Sequence, residues 1–408
     1  NSLYKSRLKE YTRKRSDIMK KIEQKDLFEL KNVAQPVVAG GDIFFTETKM
    51  NEKKNTYETA IYKYTNEGNV AYGDDGTVNS SLQVSPDGKW ISFVSNEGED
   101  KTPQLKIQSV TGGKAIALTQ EKKGVSVYVW GKDSQSIYYQ TTKADEEEKK
   151  DEFPQPIIVE KTTYRFDGGS FLPNKETTQI KQVEVATKEV KTLFETEDSI
   201  LFRDVLHDGG SLVVDRDLSN IRWTLDSAEA CYVDVATGDI HPILEAGTDE
   251  SYRYMLDSKE GVILAYNSGE HGFVTQVDIV FNKEGQPGSE GSILNLTSGL
   301  DVEWGDWLVA DFQQSVTGVE PQWMDEESFL VSASVEGKIV LYRLFLDGRN
   351  EVLFDKEVHI TGAKIISEKE LVITYSTTTL PSALAKLDLT TGEITNLYNP
   401  NETYLAEH

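Results

Sequence analysis

The feature that most constrains this chain is a turn-and-strand unit that recurs along it. The stretch "LQVSPDGKWISFVS", Leu82 to Ser95, sets Pro86, Asp87 and Gly88 between a short apolar alternation and the run Trp90, Ile91, Phe93, Val94. It reads as two strands hinged on a tight turn. The same pattern returns as "VAGGDIFFTET" from Val38, "GKDSQSIYYQT" from Gly131 and "LHDGGSLVVDR" from Leu206. It returns again as "LDSKEGVILAY" from Leu256, "WMDEESFLVSA" from Trp323 and "ISEKELVITYS" from Ile366. Each copy is followed by a second alternating strand and turn, as in "LKIQSVTGGKAIAL" and "LAKLDLTTGEITNL". The hairpin is therefore half of a repeated four-stranded unit.

Intervals between the turns are about 45 to 50 residues in four cases, the period of four-stranded propeller blades. Two longer intervals hold insertions: the charge run "DEEEKKDEF" at Asp145–Phe153, and "LDVEWGDWLVADFQQSVTGVEPQW" at Leu300–Trp323. A linear solenoid would need shorter repeats with helices or asparagine ladders. The expectation is an all-β chain: a seven-bladed β-propeller of four-stranded antiparallel blades over residues 31–399. Its first blade begins near Asn32 with an inner strand, and its last supplies its own outer strand at Gly392–Asn399. The ring should thus close without strand exchange.

Ahead of the ring, residues 1–30 read as a basic helix and lead-in. Leu8, Tyr11, Ile18 and Ile22 fall near one stripe, and residues 1–22 carry +6. "MKKIEQKDLFEL" from Met19 has the form of a natural start, which would make the first 18 residues an addition. The stripe predicts a helix that docks on another surface, with a homo-oligomer as one outcome.

With 408 residues and 38 % apolar content the chain can bury a large core. Its 68 acidic against 43 basic residues give a net −25, which opposes nucleic acid and anionic membranes as partners. No apolar run is long enough to span a membrane. Cys231, the single cysteine, forbids an internal disulfide and reads as a buried thiol in "AEACYVDVATG". No signal-peptide core is present, so the expected compartment is the cytoplasm. The sequons at Asn79, Asn295 and Asn401 then read as chance matches.

The search for chemistry is negative. There is no G-x-S-x-G elbow, no zinc-binding histidine pair and no phosphate-binding glycine loop. His207, His241, His271 and His359 are scattered without a paired nucleophile. "YGDDGT" at Tyr72 and "FDGG" at Phe166 lack the acidic spacing of a calcium loop and read as turns. No catalytic, metal or cofactor-binding residue is expected, and no cofactor.

Three stretches carry a family resemblance. "SPDGKWISFVSN" from Ser85 followed by "QLKIQSVTGGKAIALT" from Gln104, "PIIVEKTTYRFDGGSFLPNKETTQIKQVEVATKEVKTL" from Pro156, and "YNPNETYLAEH" from Tyr398 resemble the propeller part of prolyl-oligopeptidase-family serine peptidases. The likeness is to the acylaminoacyl-peptidase / dipeptidyl-peptidase-V branch. It runs from about Met19 to His408, where residues 400–408 resemble the connector into an α/β-hydrolase domain. That family's nucleophile turn, oxyanion segment and downstream Asp and His have no counterparts here, and His408 is not the triad histidine. The resemblance implies a propeller that gates short or N-acylated peptides to a hydrolase domain of the same polypeptide. The rival is a free-standing TolB/WD40-like propeller serving as a protein-binding scaffold. A propeller with its own metal-dependent site would need acids and histidines converging on the channel, and the sequence shows no such cluster.

Overall fold

The computed structural model describes residues 20–73, 78–98, 100–144, 156, 158–161, 163–165, 171–172, 176–206, 209–224, 226–283, 292–308 and 316–408. Each turn motif opens a hairpin. At the Ser85 copy, the Ser85 hydroxyl donates to Asp87 at 2.7 Å and accepts from the Trp90 amide at 3.0 Å. Gly88 takes φ +70°, which an L side chain adopts only with strain. Lys89 and Ser85 hold the Asp87 carboxyl down at about 2.

The chain builds successive antiparallel sheets. The first contains Lys31–Ala39, Asp42–Asn51, Thr56–Lys63 and Val70–Tyr72; the second Asn79–Val84, Trp90–Ser95, Gln104–Ser109 and Ile116–Ala117. The third contains Val127–Trp130, Ser136–Thr142, Thr178–Glu184 and Val190–Thr196. An eight-stranded sheet follows. Its two antiparallel halves, which we call fourth and fifth, run from Ile200 to Pro242 and from Ser251 to Asn295. The strand pairing between them is a single parallel contact of Ala228 with Ser251. The sixth spans Glu303–Phe354, and the last holds His359–Ser367, Glu370–Thr377, Leu380–Asp388 and Glu393–Tyr398.

Period-two alternation on both faces of these strands makes them a ring. Leu371 and Ile373 pack toward the sixth unit with Leu330 and Leu341, whereas Val372 and Leu384 pack toward the first with Val33, Ile43 and Phe45. The same division recurs at each junction. Phe93 and Ile91 face Phe44 and Ile61, while Val94 and Leu105 face Tyr128 and Tyr139. Each fully buried Phe, Leu or Ile in these layers contributes about 1.5–3 kcal/mol.

Among the described residues strand pairing does not link the first and last sheets; side chains close that seam. The Asn401 amide accepts from the Lys31 N–H and donates to the Lys31 carbonyl, both at 2.8 Å. Ser382 accepts from the Val33 N–H at 2.9 Å, and Tyr398 donates to Glu47 at 2.6 Å. The sheet order of the described residues carries no strand across the seam.

Alternating strand direction puts both ends of the ring on one side. The first strand starts and the last strand finishes on the face that also carries the second-to-third-strand loops; we call it the proximal face. There the Lys20 amide bonds the Glu407 carbonyl at 2.8 Å, their side chains form an ion pair, and Tyr404 donates to Asp26. The expected N-terminal helix lies outside the described residues for 1–19. The described part of the lead-in forms a 3₁₀ turn at Gln24–Phe28. "DEEEKKDEF" and "FDGG" also lie outside the described residues, as do the central residues of "YGDDGT".

Candidate functional site: the central channel

The innermost strands carry a shared irregularity. Register slips by one residue between Ala34 and Val37, Ser80 and Gln83, Phe202 and Asp204, Tyr254 and Leu256, and Ile360 and Gly362. A bulge turns its extra residue out of the ladder. In the sixth unit the excursion is far larger. Trp304 pairs with Ala333 and Gln322 with Leu330, so the Leu300–Trp323 insertion interrupts the inner strand itself.

Polar side chains on these strands and on the second strands of the third and fourth units tie neighbouring sheets together. Gln35 accepts from the Leu82 amide at 3.1 Å, and Gln83 donates to the Tyr128 carbonyl at 3.0 Å. Gln140 accepts from the Phe202 amide at 2.7 Å, and Asp215 accepts from the Tyr254 amide at 2.8 Å. Trp323 donates to the Asp257 carbonyl at 3.1 Å, and Gln322 to the Ala363 carbonyl at 2.9 Å. Several of these bonds, such as those to the Leu82, Phe202 and Tyr254 amides, satisfy backbone groups at the bulges.

These strands enclose a cavity of about 550 Å³ lined by Gln35, Pro36, Ser81–Val84, Val127–Val129, Phe202, Arg203, Thr317, Gly318, Glu320, Gln322 and Gly362–Lys364. Three of its side chains are charged. Arg203 gives its Nε to Asp215 at 2.6 Å. Burial raises the Asp215 carboxyl above its ordinary range, against the pull of Arg203 and the Tyr254 amide. Lys364 is open to the channel interior but surrounded by protein, so desolvation lowers its amine, partly offset by Glu320. At the opposite, distal mouth, Lys132 of the third unit reaches Asp257 of the fifth at 3.8 Å.

The histidines do not converge. His241 lies on the outer strand Ile240–Pro242, and His271 precedes the 3₁₀ turn Gly272–Val274. His408 stacks on Tyr404. His207 lies outside the described residues. His359 contacts Asp306 of the insertion at 2.7 Å, but the neighbouring Ser334 hydroxyl is committed to the insertion backbone at Gly305 and Trp307. Among the described residues no group of three or more His, Cys, Asp or Glu could hold a metal. Burial pushes the Cys231 thiol up to about 12, which makes it an inert core group. Of the sequons, Asn79 and Asn401 are buried. Sequence reasoning singled out none of Arg203, Glu320 and Lys364; only their positions beside the bulges mark them.

The proximal face carries the most exposed large apolar side chains among the described residues. Ile22, Ile158, Ile221, Trp223, Val274 and Trp307 are between 63 % and 76 % exposed; Trp307 lies on the insertion and the others on the lead-in or on second-to-third-strand connections of that face. Trp223 also takes φ +57° beside a second cavity of about 320 Å³ bounded by Asp226, Asp249 and Asn267. No described helix is long and apolar enough to cross a membrane.

No family model matches the chain. It is 23 % identical over 404 residues to the uncharacterized peptidase YuxL of Bacillus subtilis (strain 168), covering 96 % of this chain and 60 % of that protein. Among solved structures, the acylaminoacyl peptidase of Pyrococcus horikoshii superposes with a TM-score of 0.68 at 18 % identity, over 95 % of this chain and 55 % of that one. The β-propeller domain of the Trilobed protease from Pyrococcus furiosus, described as having an open velcro topology, gives 0.60 at 16 % identity, over 91 % and 99 %. Prolyl oligopeptidase B from Galerina marginata gives 0.58 at 13 % identity, over 90 % and 51 %. The chain spans 60 % of the length of its curated relative. These likenesses bear out the resemblance read from the sequence: the fold is that of the propeller portion of such peptidases.

Proposed function

We propose that this chain, carrying the propeller portion of a prolyl-oligopeptidase-like peptidase, is the substrate-gating domain of a serine exopeptidase acting on short or N-acylated peptides. In this reading the eight-stranded sheet is two blades, which makes the propeller seven-bladed over residues 31–399. Residues 1–30 are its lead-in, and residues 400–408 connect it to an α/β-hydrolase domain that supplies the nucleophile, base and oxyanion donors. The enzyme would be cytoplasmic, in keeping with one buried thiol and an acidic surface.

The observation that carries the proposal is the proximal face. Both ends of the ring leave there, and the six most exposed large apolar side chains among the described residues lie there. Soluble proteins rarely leave such a face bare, and a hydrolase domain covalently joined at the same side would cover it. A rigid ring over the active-site cleft then selects by size, because a folded protein cannot enter a channel lined by packed sheets.

The test joins the chain, through its C-terminal end, to an α/β-hydrolase domain of a prolyl-oligopeptidase-type peptidase. The joined protein should hydrolyse an N-acetyl-aminoacyl p-nitroanilide and short peptides but leave folded proteins intact, and removing the propeller should abolish that size limit. The chain alone should neither hydrolyse these substrates nor take up a fluorophosphonate label. Hydrolysis by the chain alone, or a size limit that survives removal of the propeller, would refute the proposal.

A further inference from the structure

We propose that the central channel anchors the free C-terminal carboxylate of a peptide, with Lys364 as the principal cation and Arg203 as the second. The inference rests on the peptidase reading and deepens it by naming the end of the substrate that the propeller holds.

The argument starts from what the wall has left to offer. Its amides, Gln35, Gln83 and Gln322, are committed to bridging neighbouring sheets. Arg203 has its Nε on Asp215 and still lines the cavity. Among the described residues Lys364 makes no hydrogen bond or ion pair; Glu320 attracts it across the channel without closing a salt bridge. An unpaired cation facing a channel walled by protein on its other sides gains more from a bound anion than one on the open surface does.

Glu320 opposes an anion near the mouth of the insertion, so the site accepts a single carboxylate held at Lys364 and disfavours polyanions such as phosphates. Direction follows from the same pair. An N-terminal ammonium would meet repulsion at Lys364 and Arg203. A peptide presenting its N-terminal residue to a domain on the proximal face would therefore run its C-terminus into the channel.

The test uses the full chain and titrates it calorimetrically at low salt with N-acetyl-tetraalanine as the free acid and as the C-terminal amide. The acid should bind about tenfold more tightly than the amide, as expected of a charge-assisted hydrogen bond in a partly desolvated site. Lys364→Met should remove the difference and Lys364→Arg should restore it, with melting curves confirming that each variant folds. Glu320→Gln should tighten the acid alone, which tests the idea even if Lys364→Met fails to fold. Equal binding of acid and amide, no binding of either, or a difference that survives Lys364→Met would overturn the proposal. The peptidase reading would stand through any of these results, because its size limit is measured on the joined enzyme.

Discussion

Replacing Asn401 with alanine should open the ring at its seam. Asn401 is 1 % exposed, and its amide makes two 2.8 Å hydrogen bonds to the backbone of Lys31. Each bond contributes a net of about 1 kcal/mol, and stranding the Lys31 groups adds to the loss where water cannot replace the amide. Lys31 is half-buried, so water recovers part of this, and the expected cost is about 2–3 kcal/mol. At roughly 2.1 cal/mol/K per residue, unfolding 408 residues carries about 0.9 kcal/mol/K, so the melting midpoint should fall by about 3 °C. The local effect should be larger than the global one. Every other junction is tied by a covalent connection, whereas the seam relies on Asn401, Ser382, Tyr398 and the apolar layer of Val33, Phe45 and Leu384. Hydrogen exchange at the Lys31 and Val33 amides should accelerate strongly in Asn401→Ala. Gln83→Ala, which removes the corresponding bridge between the second and third sheets, should leave those amides unchanged. A melting midpoint within about 1 °C of the parent, with unaltered exchange at the seam, would refute the reasoning.

Two other outcomes are expected. Gly261→Ala should cost about 3 kcal/mol or more, because Gly261 has φ +155° and a Cβ there would stand 2.1 Å from the Asn282 carbonyl oxygen; Gly40→Ala, in open space, is the control for φ alone, and equal melting of the two would count against the steric account. Acid should release the lead-in: Lys20 holds the Glu407 carboxyl below its ordinary value, and the Glu23 amide does the same for Asp26. Folded values below the unfolded ones mean that this stability is present above about pH 4 and is lost as pH falls through the folded values, so proteolysis within residues 20–30 should quicken between pH 4 and pH 2 and not between pH 7 and pH 5.

The ring was legible because its signals are local. Ser85, Asp87 and Gly88 form the turn their chemistry predicts, and the alternation of Ile91 and Phe93 against Val94 assigns each to the layer it packs in. The channel was not legible, because its residues act across sheets. Gln35, Gln83 and Gln322 look like ordinary polar alternation until the neighbouring backbone is in place. That the Leu300–Trp323 insertion divides an inner strand was hidden for a related reason. The Trp323 copy has only Gln322 and Trp323 before its turn, too short for an inner strand, and that shortage was the one available sign that Glu303 and Trp304 complete it. Of the lead-in stripe, Leu8, Tyr11 and Ile18 lie outside the described residues and Ile22 is exposed.

The repeated bulge also bears on how such a channel can change. A bulged residue has already left the ladder, so lengthening the excursion there breaks no further strand pairing and adds only the entropy of closing a longer loop. Growth from about two residues to about seventeen, as in the sixth unit, costs roughly 2 kcal/mol by that measure. The packed layers on either side, Phe329 and Val331 toward the fifth unit and Leu330 toward the seventh, remain intact around it. Each inner strand with such a bulge is a site where new channel lining can be added at little thermodynamic risk to the ring, and the segment bearing Glu320 is the instance in which that latitude has been used.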